Sequence, residues 1–195
     1  MADLQTITKL RNLTGAGIVD CQKSLAEAGD DLEKAIEILR KKGEAKAAKK
    51  INERETKEGI VYSYIHGNNT AGAMLELFCE SDFVARTEDF KNLAHDLAMQ
   101  IVAMAPEYLT PDQVPQSIID KEKEVYLEQL KNEGKPVDMI EKILPGKLSK
   151  YYEEVCLLNQ VFIKDETKKI ADLLNAAIAK TGEKIEIGRF ARFQL

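Results

Sequence analysis

Residues 59–79 read GIVYSYIHGNNTAGAMLELFC, and within them the hydrophobic period shortens from three or four residues to two. Ile60, Val61, Tyr62, Tyr64 and Ile65 are β-branched or aromatic, shapes that suit a pleated, half-buried surface. His66-Gly67-Asn68-Asn69-Thr70 is turn chemistry, since glycine accepts a positive φ and asparagine bonds its own backbone. Met74, Leu75, Leu77, Phe78 and Cys79 make the returning strand. An antiparallel hairpin set among helical patterns defines an α+β chain.

Upstream, the pattern is helical. Leu4, Ile7 and Leu10 recur at one-turn spacing, and Thr14-Gly15-Ala16-Gly17 breaks them with a sharp reversal. Ile18, Cys21 and Leu25 carry a second helix that Gly29 stops. Asp30 offers an N-cap with Glu33 in capping-box position, and Leu32, Ala35, Ile36 and Leu39 line a third helix ending at Gly43. Residues 1–43 are thus expected to form a three-helix bundle. Residues 44–57 are basic and alanine-rich, with helix formers but no wide apolar face, and read as a partly helical linker. Residues 58–195 form the α+β domain.

Downstream of the hairpin, residues 79–90 read CESDFVARTEDF. The hydrophobic pattern stops at Glu80-Ser81-Asp82, and Phe83 stands alone among polar neighbours, so the stretch reads as a connecting loop. Thr87 can cap a helix whose apolar stripe is Phe90, Leu93, Ala94, Leu97, Ala98, Ile101 and Val102. A more charged helix spans 112–134 and closes at Gly134. Pro136 opens another through Met139, Ile140, Ile143 and Leu144, which Pro145-Gly146 should kink or stop. Residues 147–158 fit either helix or irregular structure. Asp165 is expected to cap a helix along Ile170, Leu173, Leu174, Ala177 and Ile178, with Gly182 as its stop. The tail from Lys184 to Phe193 alternates and should complete a three-stranded antiparallel sheet.

Composition narrows the function classes. Hydrophobic content of 44% and charged content of 31% describe a soluble globular protein. No basic start followed by an apolar run suggests a secretory signal, and no apolar segment nears the roughly 20 residues that span a bilayer. The expected location is the cytoplasm. Cys21, Cys79 and Cys156 are far apart and lack CxxC spacing, so they read as free thiols rather than a disulfide framework or zinc site. His66 and His95 fit no nucleophile or metal pattern and read as structural or solvent-facing. No catalytic, metal or cofactor residues are expected. The net charge is −5, yet residues 40–54 hold seven basic and two acidic side chains. With no aromatic residue interleaved to stack on bases, that run reads as a solvated helix face, and direct nucleic-acid binding is not expected.

Several stretches, taken in order, resemble one family. Residues 10–25, LRNLTGAGIVDCQKSL, resemble the signature LRxxTGAGxxDCKKAL of elongation factor Ts, the nucleotide-exchange factor of elongation factor Tu. Ser81-Asp82-Phe83-Val84-Ala85-Arg86 resembles its TDFVAR motif. Residues 156–165, CLLNQVFIKD, are similar to its LLEQPFVKD segment, and residues 188–193, GRFARF, to its closing strand. Against the family pattern, Gln22 replaces lysine, Ser24 alanine, Phe78 asparagine, Ser81 threonine and Val161 proline.

The resemblance implies a function that spacing alone does not. It makes Ser81, Asp82, Phe83 and Val84 the segment presented to elongation factor Tu, with the ring wedging near the magnesium site so that GDP is released. It makes Leu13, Thr14, Gly15, Ala16, Gly17 and Ile18 the docking loop of a module similar to ubiquitin-associated domains. It also implies a homodimer, hence two exchange factors with two GTPases, because short members of the family resemble half of a longer, duplicated unit. On spacing alone, Phe83 would be a core residue, Asp82 a cap and the TGAG stretch a plain turn. The alternative function is a non-exchange oligomeric adaptor whose helical module binds a protein partner.

Overall fold

The computed structural model describes residues 3–14, 16–53 and 55–195, with backbone alone for 44–53. The helices are α1 (Leu4–Thr14), α2 (Ile18–Glu27), α3 (Leu32–Glu53), α4 (Asp82–Ala85), α5 (Glu88–Met104), α6 (Gln116–Asn132), α7 (Val137–Val155) and α8 (Ile170–Thr181). The strands are β1 (Glu58–Ile65), β2 (Ala71–Cys79), β3 (Val161–Phe162), β4 (Asp165–Lys169) and β5 (Glu186–Gln194). The expected hairpin and tail form an antiparallel three-stranded sheet in the order β1-β2-β5, so the chain is α+β. Its turn closes with the His66 amide donating to the Ala71 carbonyl (2.9 Å), and Asn69 takes a left-handed φ of 58°.

The chain divides into two compact units. The first holds residues 1–61, 76–93 and 173–188. Its N-terminal bundle buries Ile7, Leu10, Cys21, Leu25 and Ala35, with Ala16, Ala28, Leu32, Ile36 and Leu39 packed against them. Leu4 departs from the expected stripe and faces solvent. The α2–α3 turn also differs by one residue. Gly29 and Asp30 both adopt φ 64°, so the cap passes to Asp31, whose carboxylate accepts the Lys34 amide at 3.1 Å. Further on, α3 continues through Gly43 instead of ending there. A glycine inside a helix costs about 1 kcal/mol relative to alanine, too little by itself to end one. Elsewhere in this unit Leu77, Cys79, Phe90, Ile178, Ile185 and Ile187 are buried.

The second unit holds residues 62–75, 94–172 and 189–195. Here Ala94, Leu97, Ala98 and Ile101 are buried along α5. Gln100 and Gln160, both fully buried, satisfy one another. The Gln100 amide nitrogen donates to the Gln160 side-chain oxygen (3.2 Å) and to the Val161 carbonyl (3.0 Å). Its oxygen accepts the Ile163 amide (3.0 Å), and Gln160 donates to the Glu154 carbonyl (2.8 Å). His95 sits edge-on to Tyr62 and Tyr64, with its Nδ1 3.2 Å from the Tyr62 hydroxyl, while His66 lies 3.2 Å from the exposed Tyr64 hydroxyl.

Three helix expectations change in this unit. The charged helix starts at Gln116 rather than 112, because Pro111–Gln113 form a short 3-10 turn and Pro115 precedes α6. Pro145 does not stop α7, which runs to Val155 and so settles most of 147–158 as helix. Proline costs one backbone bond, while the helix keeps Ile140 in the core. Asp165 is no helix cap: it begins β4, which pairs antiparallel with β3, and α8 starts five residues later. Its carboxylate accepts the Thr167 hydroxyl (2.6 Å) and pairs with Lys168 (2.6 Å) within that strand.

Candidate partner-docking site

The segment expected to be a loop is a one-turn helix, α4. Ser81, with extended backbone (φ −127°, ψ 153°), is its N-cap, and its hydroxyl accepts the Val84 amide at 3.4 Å. Asp82 is therefore not the cap. It occupies the first helical position, where a negative charge meets the positive end of the peptide dipoles, and pairs with Arg86 at 2.9 Å. Ala85 is buried and Val84 half-buried, so one side of the turn enters the protein. Phe83 lies on the other side with 80% of its surface exposed. The core reading of Phe83 is thereby removed.

A residue that the sequence did not single out fastens this turn. The Glu183 carboxylate accepts the backbone amides of Glu80 (3.1 Å) and Ser81 (3.0 Å) on one oxygen and the Ser81 hydroxyl (2.6 Å) on the other. In return, the Glu80 carboxylate accepts the Lys184 amide at 2.5 Å. From beneath, the Cys79 thiol donates to the Ser81 carbonyl at 3.2 Å. Burial, with the nearby Glu183 charge added, pushes this thiol up to about 11. A separation of 102 residues hid the Glu183–Ser81 contact from any local pattern, and Gly182-Glu183 reads simply as a helix end.

At the N-terminal turn, Leu13 and Ile18 are exposed at 61% and 50%. Val19, which the sequence reading passed over, is exposed at 59%, and an apolar residue beside a turn was the only available cue. The Thr14 hydroxyl donates to the Leu10 carbonyl (2.7 Å) and accepts the Ala16 amide (3.3 Å), so it caps the turn from within. Gly17 precedes α2 in extended geometry, and its carbonyl accepts the Cys21 amide at 2.9 Å. Gly15 lies outside the described residues, as do the side chains of 44–54 in the basic run. Ala16 packs on the bundle core, so the surface offered at this turn is Leu13, Ile18 and Val19.

Chemically, both segments present side chains rather than assemble reactants. Among the described residues, no group of three or more His, Cys, Asp or Glu side chains is placed to hold a metal ion, and no helix is long and apolar enough to cross a membrane. Known proteins place the chain among the translation elongation factors. Residues 7–195 match the family model for elongation factor TS. Over 191 residues the chain is 56% identical to elongation factor Ts of Fervidobacterium nodosum, covering 98% of this chain and 96% of that protein. Its identity to the Thermotoga petrophila protein of the same name is 55% over 192 residues, covering 98% and 95%. For the Moorella thermoacetica protein it is 51% over 189 residues, covering 97% and 93%. The chain belongs to the elongation factor Ts family.

Proposed function

We propose that this protein is the guanine-nucleotide exchange factor of elongation factor Tu, acting in the cytoplasm by binding alone, without covalent catalysis or a cofactor. Asp82 and Phe83, with Ser81 and Val84 as their support, engage the GTPase near its magnesium site and weaken its hold on GDP. Magnesium bridges the nucleotide phosphates, so disturbing its surroundings loosens the nucleotide. The observation that carries this reading is an apolar ring exposed at 80% on a turn whose flanks are tightly bonded. Such a ring gains little in the free protein and is ready to be buried by a partner. Residues 1–43 act as the docking module, through the turn at Leu13, Thr14, Gly15, Ala16, Gly17 and Ile18 with Val19 beside it, and residues 44–57 link it to the α+β domain.

The protein works as a homodimer, giving a complex of two exchange factors with two GTPases. In its favour, Ile65, Met74, Phe193 and Leu195 are exposed apolar residues lining one shallow groove of about 340 Å³. An unpartnered apolar strand surface is suited to a second copy.

Thermodynamics sets the demand on Phe83. A factor that binds loaded and empty GTPase equally shifts nothing, so some contact must favour the empty form. The test is stopped-flow release of fluorescent GDP from elongation factor Tu. The native protein should accelerate release, and Phe83→Ala should lose about tenfold to a hundredfold of that acceleration, as expected for one phenyl ring. Its affinity for the GDP-loaded GTPase should fall less. Equal loss of both affinities makes Phe83 a generic contact, and no acceleration by the native protein favours the adaptor.

A further inference from the structure

We propose that Glu183 is the positioning residue of the exchange segment: its carboxylate sets the direction in which α4 presents Asp82 and Phe83. This inference rests on the exchange reading above.

The argument begins with what α4 lacks. Four residues make one turn, too few to hold helical geometry unaided. Phe83 is exposed, and among the described residues the Asp82 side chain pairs with Arg86 of the same segment, whose own side chain is 79% exposed. Neither side chain therefore fixes the turn. Ala85 and Val84 seat its inner side, and the hydrogen bonds that orient the backbone at its start converge on Glu183.

Two oxygens of one side chain take three donors from two consecutive residues, the amides of Glu80 and Ser81 and the Ser81 hydroxyl. Bonds to an ionised acceptor are shorter and stronger than neutral ones, and a bidentate arrangement fixes angle as well as distance. Because the Ser81 hydroxyl donates to Glu183, its oxygen is directed to accept the Val84 amide, so the carboxylate also orients the cap. The Glu80 carboxylate answers by accepting the Lys184 amide, which secures the residue next to Glu183. The result is a reciprocal brace between the end of β2 and the turn before β5, one residue away from Asp82.

Four variants test this: Glu183→Ala, Glu183→Asp, Glu183→Gln, and Glu183→Ala combined with Phe83→Ala. The readouts are GDP release from elongation factor Tu across factor concentrations and hydrogen exchange at the Glu80 and Ser81 amides. Glu183→Ala should slow release at saturation by about tenfold, with a smaller change in half-saturating concentration, and expose both amides to exchange. Glu183→Gln should keep most activity, because its carbonyl oxygen still accepts the two amides and the serine hydroxyl can turn to accept the new N–H₂. Glu183→Asp draws the carboxylate back by one methylene; it should be slow while fully folded, and so carries the test if the alanine variant does not fold. On the Phe83→Ala background, Glu183→Ala should cost less than about twofold more, since a residue acting through the ring has nothing left to position. Full additivity, or native release by both Glu183→Ala and Glu183→Asp beside a slow Phe83→Ala, overturns the proposal alone. Native release by Phe83→Ala overturns the exchange role of the ring, and this proposal with it.

Discussion

Ser24→Ala should make the protein more stable. Ser24 is fully buried in α2, and among the described residues its hydroxyl has no hydrogen-bond partner. A buried, unpaired polar group costs about 1–3 kcal/mol of desolvation. Alanine removes that cost, fits within the same volume less one oxygen, and is the better helix former by about 0.5 kcal/mol. Against this stands the small void left by the hydroxyl. The net gain is about 1–2 kcal/mol, a factor of about 5–30 in the folded population. The assay is hydrogen exchange at the Cys21 and Leu25 amides, deep in the bundle, with a urea melt alongside. Exchange at both should slow by that factor in Ser24→Ala. Faster exchange would refute the reasoning, because it would mean the hydroxyl has a partner in solution and the bundle interior is not dry at α2. The test also bears on the resemblance, since the family signature carries alanine at this position.

Two pH-dependent outcomes follow from buried and bonded groups. Burial raises the thiols of Cys79 and Cys156 to about 11 and moves that of Cys21 upward, so the native protein at pH 8 should leave all three unreacted with a thiol reagent, and unfolding in urea should release all three together. Asp165 is held at about 2, below its ordinary 3.8, first by the bond from Lys168 and then by the hydroxyl and amide of Thr167. A depressed carboxyl stabilises the fold above its unfolded pKa, and that contribution is lost as pH falls through the folded one. The Thr167 amide resonance should thus titrate with a midpoint near 2 and lose the transition in Asp165→Asn.

What the sequence disclosed and what it withheld have physical causes. The hairpin was legible because strand period, β-branched residues and an Asn-Gly-rich turn agree between 59 and 79. Three other local signals misled. Gly43 and Pro145 are breakers by propensity, yet each penalty is a few kcal/mol at most, and the surrounding helix outweighs it. Asp165 looks like a cap, but β3–β4 pairing claims its segment, and two paired residues leave no periodic trace. At the candidate site, Phe83 was visible as an isolated ring, but neither its exposure nor the cap at Ser81 was: the same pattern serves a core residue, and Asp82 is as good a cap by residue type. Glu183 was invisible because its role is defined by residues a hundred positions earlier.

The buried amides of Gln100 and Gln160 bear on how the second unit folds. Among the described residues, each bond that Gln100 makes through its side chain reaches 60 or more positions along the chain, to Gln160, Val161 and Ile163. Until that stretch returns, α5 carries a polar amide in the middle of its apolar stripe, and covering the stripe with anything else strands it. Collapse onto α5 is therefore penalised unless the distant partner arrives too. Such a group acts as a proofreader of assembly, punishing half-built structures while contributing little net energy to the finished one. Its completion waits on closing a loop of about sixty residues, a slow, non-local step, so the last contacts of this unit should form together and late.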